Sequence, residues 1–161
     1  MSQLTELAQQ AGERLLQRNW MLATAESCTG GWVAKCLTDI PGSSQWFERG
    51  FVTYSNQAKQ DMLGVMAATL ESAGAVSEAV VMEMVRGALR HSRADIAVAI
   101  SGIAGPGGGM PGKPVGTVCF AWATKSGRPR IETRLFAGDR EAVRRQSVVH
   151  ALEGVLDAGA V

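Results

Sequence analysis

The sequence predicts an α/β fold, a three-layer α/β/α sandwich with a mixed sheet of about five strands. Three observations predict it. Apolar periods typical of amphipathic helices alternate along the chain with short apolar runs of strand length. The run Ile96–Ala97–Val98–Ala99–Ile100 is apolar throughout, which is typical of a strand that helices cover on both faces. Two extended runs, 115–123 and 130–136, can pair as an antiparallel hairpin through the turn at 125–128.

The first half of the chain alternates helices with strands. In chain order, the expected elements are a helix over 3–18, a strand over 21–25, a helix over 32–40, a strand over 47–54 and a helix over 56–63. Pro41–Gly42 ends the second helix and Gly64 the third, because proline and glycine interrupt a helical backbone.

The second half begins with the clearest helix of the sequence. Ser77 is its N-cap, and apolar residues recur at helical spacing from Val80 to Leu89. The strand 96–100 follows, and then a glycine-rich loop over 101–114 leads into the hairpin. A last helix begins at Asp139 and runs through Leu156. The order of the strands within the sheet does not follow from the sequence.

Length and composition predict one domain over residues 1–161 and exclude several classes of protein. The net charge of +1 gives no global field that would recruit nucleic acid or an anionic membrane. No apolar run approaches the ~20 residues of a membrane-spanning helix. Three cysteines without CxxC spacing indicate neither a disulfide framework nor a zinc site, so we expect a cytoplasmic protein without metal or cofactor.

A first candidate site is the segment TAESCTGG, residues 24–31, between a strand and a helix. Such a turn lies at the carboxyl edge of the sheet, where open α/β folds bind ligands. Ser27 and Cys28 are adjacent potential nucleophiles, and the helix start near Gly30–Gly31 offers N–H donors for a phosphate or an oxyanion. Alternatively, Ser27 or Thr29 is only an N-cap and Cys28 a buried filler.

A second candidate is the pair Tyr54 and Lys59 in FVTYSNQAK, residues 51–59. The two side chains converge only if Tyr54 ends the strand and Lys59 lies near the start of the next helix. There the helix dipole and partial burial would lower the pKa of the lysine toward that of a base. The alternative is a solvated lysine beside a half-buried tyrosine. The spacing does not match the dyad of short-chain dehydrogenases.

The third candidate is the segment 101–116, which holds seven of the 19 glycines. It follows the buried strand directly, so it lies at the same sheet edge as residues 24–31 if the two strands are parallel. A loop this rich in glycine is more typical of a ligand-binding or lid element than of a passive connection.

Positive charge is concentrated near the C-terminus. Seven of the 16 basic residues lie within 21 positions: Lys125, Arg128, Arg130, Arg134, Arg140, Arg144 and Arg145. We expect most of them to form a solvated face. Arg140 differs because it opens the last helix, where a guanidinium can help backbone N–H groups to hold a phosphate. His91 and His150 lie far from every other motif, so a Ser-His-Asp triad has little support.

Six blocks in order make the chain resemble one known family. They are AESCTGG at 25–31, GSSQWFERGFVTYSNQAK at 42–59, GAVSE at 74–78, SGIAGPGGG at 101–109, KPVGTV at 113–118 and GDREAVRRQ at 138–146. Together they resemble the CinA C-terminal domain family, which includes the stand-alone nicotinamide-nucleotide amidases. The resemblance covers nearly the whole chain and implies the same three-layer fold.

The resemblance also implies an activity and a set of residues. Family members hydrolyse the carboxamide of nicotinamide mononucleotide to nicotinate mononucleotide and ammonia, without a metal. Carried over, Ser27 is the nucleophile, Lys59 the general base and Tyr54 the residue that relays or positions the proton. Residues implied to bind the substrate are Thr29, Gly30, Gly31, Ser44, Asn56, Ser101, Gly102 and Arg140.

Two alternatives stay open at this stage. The chain could be a silent nucleotide-binding paralogue, although Ser27, Tyr54 and Lys59 are intact, or a protein-interaction domain. The expected partner is a small pyridine nucleotide, with neither nucleic acid nor membrane. The sequence does not fix the oligomeric state, and a homodimer or a higher homo-oligomer is compatible with it.

Overall fold

The helices and strands follow one another in the predicted order. The structure, a computed structural model, describes residues 2–159, so residues 1, 160 and 161 of the expected domain lie outside the described part. The helices are α1 (Gln3–Arg18), α2 (Trp32–Thr38), α3 (Asn56–Leu63), α4 (Ala67–Ala73), α5 (Glu78–Arg90) and α6 (Arg140–Gly159). The strands are β1 (Leu22–Glu26), β2 (Phe47–Val52), β3 (Ile96–Gly102), β4 (Thr117–Thr124) and β5 (Arg130–Leu135).

The five strands form one mixed sheet in the order β2-β1-β3-β4-β5. Strand β1 is parallel to both of its neighbours, whereas β4 is antiparallel to β3 and to β5, so the predicted hairpin is confirmed. Because β1, β2 and β3 point the same way, the segments that follow them meet at one edge of the sheet. These segments contain Ser27, Tyr54 and the glycine-rich loop.

The two faces of the sheet carry side chains of different size. On β3, Ile96, Val98 and Ile100 pack in the core with α1, α2 and α6. Ala97 and Ala99 of the same strand point to the opposite face, where α3, α4 and α5 pack. This alternation places helices on both faces, so the predicted three-layer α/β/α sandwich is confirmed.

Strand β2 ends at Val52 and helix α2 at Thr38, each two residues before the predicted end. Two further boundaries differ from the prediction for a reason of backbone geometry. Strand β3 extends two residues beyond Ile100, because Ser101 and Gly102 continue the antiparallel ladder with β4. Strand β4 begins at Thr117 and not at Val115, because Gly116 has a left-handed φ of 98° that interrupts an extended chain. No helix within residues 2–159 has the length and apolar content to cross a membrane.

Candidate active site

A pocket of about 290 Å³ lies at the carboxyl ends of the parallel strands. Five separate parts of the chain line it: the turn after β1, the segment that leads into α3, residues 75–76 before α5, the end of β3 with its glycine-rich loop, and the first residue of α6. Its lining residues are Ser27, Cys28, Tyr54, Asn56, Lys59, Ala75, Val76, Ser101–Gly105, Gly107, Gly108 and Arg140. The pocket therefore contains most of the residues that the sequence singles out.

Ser27 and Lys59 meet at the floor of this pocket. Lys59 Nζ lies 3.0 Å from Ser27 Oγ, 3.1 Å from the carbonyl oxygen of Thr53 and 3.5 Å from that of Tyr54. The helix start brings the lysine there, because the Ser55 hydroxyl caps α3 by accepting from the N–H of Ala58. The alternative of a solvated Lys59 is wrong, since the side chain is only 1% exposed.

Burial lowers the pKa of Lys59 below its ordinary value of 10.5. None of the carboxylates among residues 2–159 forms an ion pair with it, so nothing of opposite charge offsets the cost of removing the ammonium from water. A neutral amine has two N–H groups and one lone pair. With the two N–H groups on the carbonyls of Thr53 and Tyr54, the lone pair is free to accept the Ser27 proton.

Cys28 is a poor nucleophile in this environment. It lines the pocket, but burial raises the pKa of its thiol to about 12. The reactive form of cysteine is the thiolate, so the thiol is inert near neutral pH. Of the two adjacent candidates, the hydroxyl of Ser27 is the one with a base beside it.

Tyr54 occupies the rim of the pocket and not its floor. Its ring is 62% exposed, and its hydroxyl accepts a hydrogen bond of 3.1 Å from Arg140 Nη2. Arg140 Nη1 donates to the carbonyl of Gly105 at 2.8 Å. Within residues 2–159, the tyrosine hydroxyl contacts neither Ser27 nor Lys59, so its predicted proton relay has no geometric support in this conformation. The backbone carbonyl of Tyr54, however, does contact the lysine.

Three further predicted residues line the pocket. Asn56 presents an exposed side chain at the first residue of α3. Ser101 is buried, and its hydroxyl donates to the carbonyl of Ala75. At Gly102 a Cβ would crowd Val118 and would lie 3.1 Å from Cys28 Sγ. A side chain there would thus press on the nucleophile turn.

The turn 27–31 corrects part of the sequence interpretation. Thr29, Gly30 and Gly31 do not line the pocket. The Thr29 side chain is fully buried and donates to Glu26 Oε1 at 2.6 Å, and the N–H of Gly31 donates to the same oxygen at 3.2 Å. The N–H of Gly30 donates to the carbonyl of Ser27 at 3.0 Å, so the Thr29 hydroxyl and the N–H groups of both glycines already have acceptors within the protein in this conformation.

Ser44 is the clearest misplacement. It lies in an exposed 3-10 turn, Ser43–Gln45, before β2. The next residue, Trp46, accepts a hydrogen bond from the N–H of Leu22 at the start of β1. Ser27 lies beyond the other end of the same strand, roughly 17 Å away at ~3.3 Å per residue. Ser44 is thus at the opposite edge of the sheet.

Sequence reasoning missed Glu26 and Arg144. Glu26 is fully buried at the end of β1, and an acidic residue that closes an apolar strand was the signal for it. Arg144 Nε and Nη2 donate to the carbonyls of Cys28 and Thr29, at 3.1 and 3.3 Å. It was grouped with the solvated basic face because the sequence does not reveal which face of α6 meets the turn.

The two histidines lie outside the site, as expected. His91 Nδ1 contacts the carbonyl of Gly87, and His150 Nε2 lies 2.7 Å from Glu132 Oε2. Neither lines the pocket. No set of three His, Cys, Asp or Glu side chains in the described range 2–159 is arranged to hold a metal ion.

Backbone donors also lie around the pocket. The N–H groups of Ala104, Gly105, Gly107 and Gly108 have no acceptor among residues 2–159, and all four residues line the cavity. Ala104 and Gly105 are buried, and buried N–H groups normally have partners. The arrangement therefore brings a hydroxyl, an amine of lowered pKa and unpaired amide donors around one space, which are the parts that acyl transfer from an amide requires.

Known proteins of two kinds are similar to the whole chain. The nicotinamide-nucleotide amidohydrolase PncC of Escherichia coli strain K12 is 60% identical over 152 residues, which are 94% of this chain and 92% of that protein. PncC of Pseudomonas putida is 55% identical over 159 residues, 99% of each chain. The crystal structure of the competence/damage inducible protein CihA from Agrobacterium tumefaciens superposes with a TM-score of 0.95 at 45% identity and covers 100% of this chain and 98% of that one.

The family itself follows from a match over nearly the full length. The model of the CinA C-terminal domain matches residues 4–158, which include both Ser27 and Lys59 and extend into the last turns of α6. The resemblance that six sequence blocks carry is thereby confirmed. This chain belongs to the CinA C-terminal domain family.

Proposed function

We propose that this chain is a nicotinamide-nucleotide amidohydrolase that serves pyridine nucleotide recycling. It hydrolyses the carboxamide of nicotinamide mononucleotide and releases nicotinate mononucleotide and ammonia. The observation that carries the proposal is the buried Lys59 Nζ at 3.0 Å from Ser27 Oγ, on the floor of a pocket with unpaired amide donors. The names of the relatives that are 55% and 60% identical over nearly the full length support the same activity.

The first half of the reaction is acylation of Ser27. The neutral amine of Lys59 takes the hydroxyl proton, and Ser27 Oγ attacks the carbon of the carboxamide. The tetrahedral intermediate carries a negative oxygen, which backbone N–H groups around the pocket, such as that of Ala104, are available to stabilise. When the intermediate collapses, the C–N bond breaks. The lysine ammonium returns its proton to the leaving nitrogen, and ammonia departs.

The second half is hydrolysis of the ester formed on Ser27. Lys59 is again neutral and removes a proton from a water molecule, whose oxygen attacks the acyl carbon. The second tetrahedral intermediate expels Ser27 Oγ, which regains its proton from the lysine. One water is consumed, the product is the carboxylic acid, and the enzyme returns to its starting state without a metal in any step.

The nucleotide part of the substrate is bound at the rim. Arg140 contacts only neutral acceptors, the Tyr54 hydroxyl and the Gly105 carbonyl, and forms no ion pair within residues 2–159. Its charge is therefore available to the phosphate. Asn56 and Ser101 supply polar groups for the ribose and the amide. Tyr54 orients Arg140 and offers an exposed aromatic face at the entrance, in place of a proton relay.

A reducing compartment is consistent with the thiols. Cys28, Cys36 and Cys119 are free and buried, so we expect the enzyme to work in the cytoplasm with a small nucleotide as its partner. The net charge of +1 gives no general attraction for a nucleic acid or an anionic membrane.

The deciding experiment measures ammonia release from nicotinamide mononucleotide and from free nicotinamide. We expect turnover of the nucleotide, and loss of at least about 10³-fold in kcat for Ser27→Ala and for Lys59→Met. Cys28→Ala is the matched control and keeps turnover, because its thiol is not the nucleophile. Binding of the nucleotide without turnover by the wild type would instead identify a silent paralogue, and neither binding nor turnover an interaction domain.

A further inference from the structure

Glu26 is a fully buried carboxylate immediately before the nucleophile, and the reaction as described does not use it. Its oxygens accept four hydrogen bonds. Oε1 accepts from the Thr29 hydroxyl at 2.6 Å, from the N–H of Gly31 at 3.2 Å and from the N–H of Val33 at 3.0 Å, and Oε2 accepts from the N–H of Ala34 at 3.0 Å. The donors belong to the turn 27–31 and to the first turn of α2, so one side chain spans the whole connection.

The backbone of Glu26 connects the same residue to the base. Its carbonyl accepts from the N–H of Thr53 at 2.8 Å, and the carbonyl of Thr53 lies 3.1 Å from Lys59 Nζ. The N–H of Ser27 donates to Ile100 at 3.0 Å. Glu26 thus contacts the segment of the nucleophile through its side chain and the segment of the lysine through its main chain.

The Glu26 carboxylate also determines which backbone N–H groups of this connection are free. The start of a helix has N–H groups without an acceptor inside the helix. A carboxylate binds them strongly, because a hydrogen bond to a charged acceptor is stronger than one between neutral groups. Glu26 accepts from the N–H groups of Gly31, Val33 and Ala34. These N–H groups are therefore not available to carbonyl oxygens of the turn 27–31, which would otherwise change its conformation to reach them. The next residue after Ser27, Cys28, keeps its place beside the pocket.

We propose that Glu26 is a positioning residue, whose carboxylate holds the turn 27–31 in the conformation that keeps Ser27 Oγ within reach of Lys59 Nζ. This inference rests on the proposed function for its catalytic consequence. It acts through Ser27 and touches no substrate. Arg144, which donates to the carbonyls of Cys28 and Thr29, braces the same turn from the side of α6.

Glu26→Gln tests the role with nearly constant volume. The glutamine amide has an NH₂ group in place of one carboxylate oxygen. This NH₂ group would face an N–H donor of α2, and because two donors cannot form a hydrogen bond with each other, the turn shifts. A displacement of about 1 Å at a reacting atom costs on the order of 10²-fold in rate, so we expect kcat to fall by that amount while KM changes less than about threefold. The phosphate contacts at Arg140 are untouched.

A second readout follows Ser27 without the substrate. Phenylmethanesulfonyl fluoride transfers its sulfonyl group to an activated serine oxygen as fluoride leaves, and mass spectrometry of the peptide that contains Ser27 gives the rate. We expect this rate to fall in Glu26→Gln in parallel with kcat. Val155→Ala, at a buried position near the far end of α6, is the matched control: it loses thermal stability but keeps both rates.

The outcomes separate cleanly. Parallel loss of kcat and of sulfonylation in folded Glu26→Gln, with Val155→Ala unchanged, supports the proposal, and wild-type values of both in that variant overturn it. If Glu26→Gln does not fold, Thr29→Val decides, because it removes only the hydroxyl donor to Oε1: a loss of at least about tenfold in both rates supports the role, and wild-type rates overturn it. Absence of ammonia release by the wild type would remove the proposed function, whereas the sulfonylation rates would still decide on Glu26.

Discussion

At the scale of single residues, the burial of Lys59 has opposite consequences for catalysis and for stability. The low exposure of its amine makes the neutral base available, because burial lowers its pKa. The same burial penalises the folded state whenever the amine is protonated. Between the lowered pKa of the folded protein and the ordinary value of 10.5, the unfolded chain binds more protons at this site, so stability rises with pH in that interval.

Lys59→Met should therefore abolish turnover and raise stability. The methionine fills a similar volume without a group that can be charged, so the penalty below the ordinary lysine pKa disappears. We expect a higher Tm at pH 7, by roughly 2–4 °C for each kcal/mol recovered, and a difference from wild type that shrinks as the pH approaches 10.5. Thermal unfolding at several pH values checks this. A Tm equal to or below that of wild type at pH 7 would contradict it.

Tyr54→Phe distinguishes the two roles of that tyrosine. It removes the hydroxyl that accepts from Arg140 and keeps the exposed ring. If Tyr54 orients Arg140, KM for the nucleotide rises by about three- to tenfold and kcat changes little, since one hydrogen bond of ~1 kcal/mol is lost. Steady-state kinetics measure both constants. A loss of about 10²-fold in kcat at constant KM would instead support the role of Tyr54 as a proton relay.

The types and order of the residues pointed to Ser27 and Lys59, but they did not reveal which other residues contact the turn that carries Ser27. Lys59 lies near the start of α3, as predicted, whereas Tyr54 lies two residues beyond the end of β2 at Val52. Glu26 was overlooked because its partners are mainly backbone N–H groups, which look identical in every sequence. Arg144 was overlooked since its acceptors are carbonyls of a distant turn, and only the packing of α6 brings the two together.

At the scale of elements, the glycine-rich loop forms one wall of the pocket. Gly105 and Gly108 have left-handed φ values of 87° and 93°, which side chains other than glycine rarely adopt. At Gly108 a Cβ would also lie 3.2 Å from Ile103 Cγ2. The concentration of glycine in this segment is therefore a requirement of its path around the cavity.

Gly108→Ala should lower kcat/KM by about tenfold or more, because the backbone gives up its left-handed conformation, at a cost of ~1–2 kcal/mol, and the wall shifts. Gly42→Ala is the matched control. Its φ of 84° demands the same conformation, a Cβ there meets nothing within 4 Å, and it lies at the other edge of the sheet. Kinetics and thermal unfolding of both variants compare the two effects. Equal kcat/KM in the two variants would refute a role of the loop in the site.

Helices and strands were predictable because apolar periodicity is a local property of the sequence. The boundaries of β3 and β4 were not, since they depend on pairing between the strands and on Gly116. Strand order was likewise inaccessible. Ser44 was misplaced for the related reason that a shared sequence block does not state at which end of a strand its residues lie.

At the scale of the whole molecule, the site and an aromatic packing cluster occupy different parts of the fold. The site is at the carboxyl ends of β1 and β3. Trp122 pairs with Val98 in the middle of β3, its indole N–H donates to the carbonyl of Ala151 in α6, and its ring packs against His150. Changes in that aromatic group should alter stability without reaching the site.

Gly154→Ala tests this separation. A Cβ at this position of α6 would collide with the ring of Trp122, so the helix or the ring must move. We expect a loss of about 1–3 kcal/mol in the free energy of unfolding, with kcat and KM unchanged at temperatures well below the midpoint. Denaturant unfolding and kinetics on the same preparation check both parts. A kcat that falls while the protein is still fully folded would show that the packing around Trp122 is coupled to the site.

The pocket is assembled from five segments that are far apart in the chain, with Ser27 in the first and Arg140 in the last. No local piece of the chain contains both the nucleophile and its base in contact, because Lys59 reaches Ser27 only after β1 and β2 have paired. Contacts of such long sequence separation need the intervening chain to close first, which makes their formation slow relative to that of a helix. Enzymatic turnover is consequently a reporter of completed folding: during renaturation, helical signal should return before activity, and a chain released early from the ribosome would be inert rather than partly active.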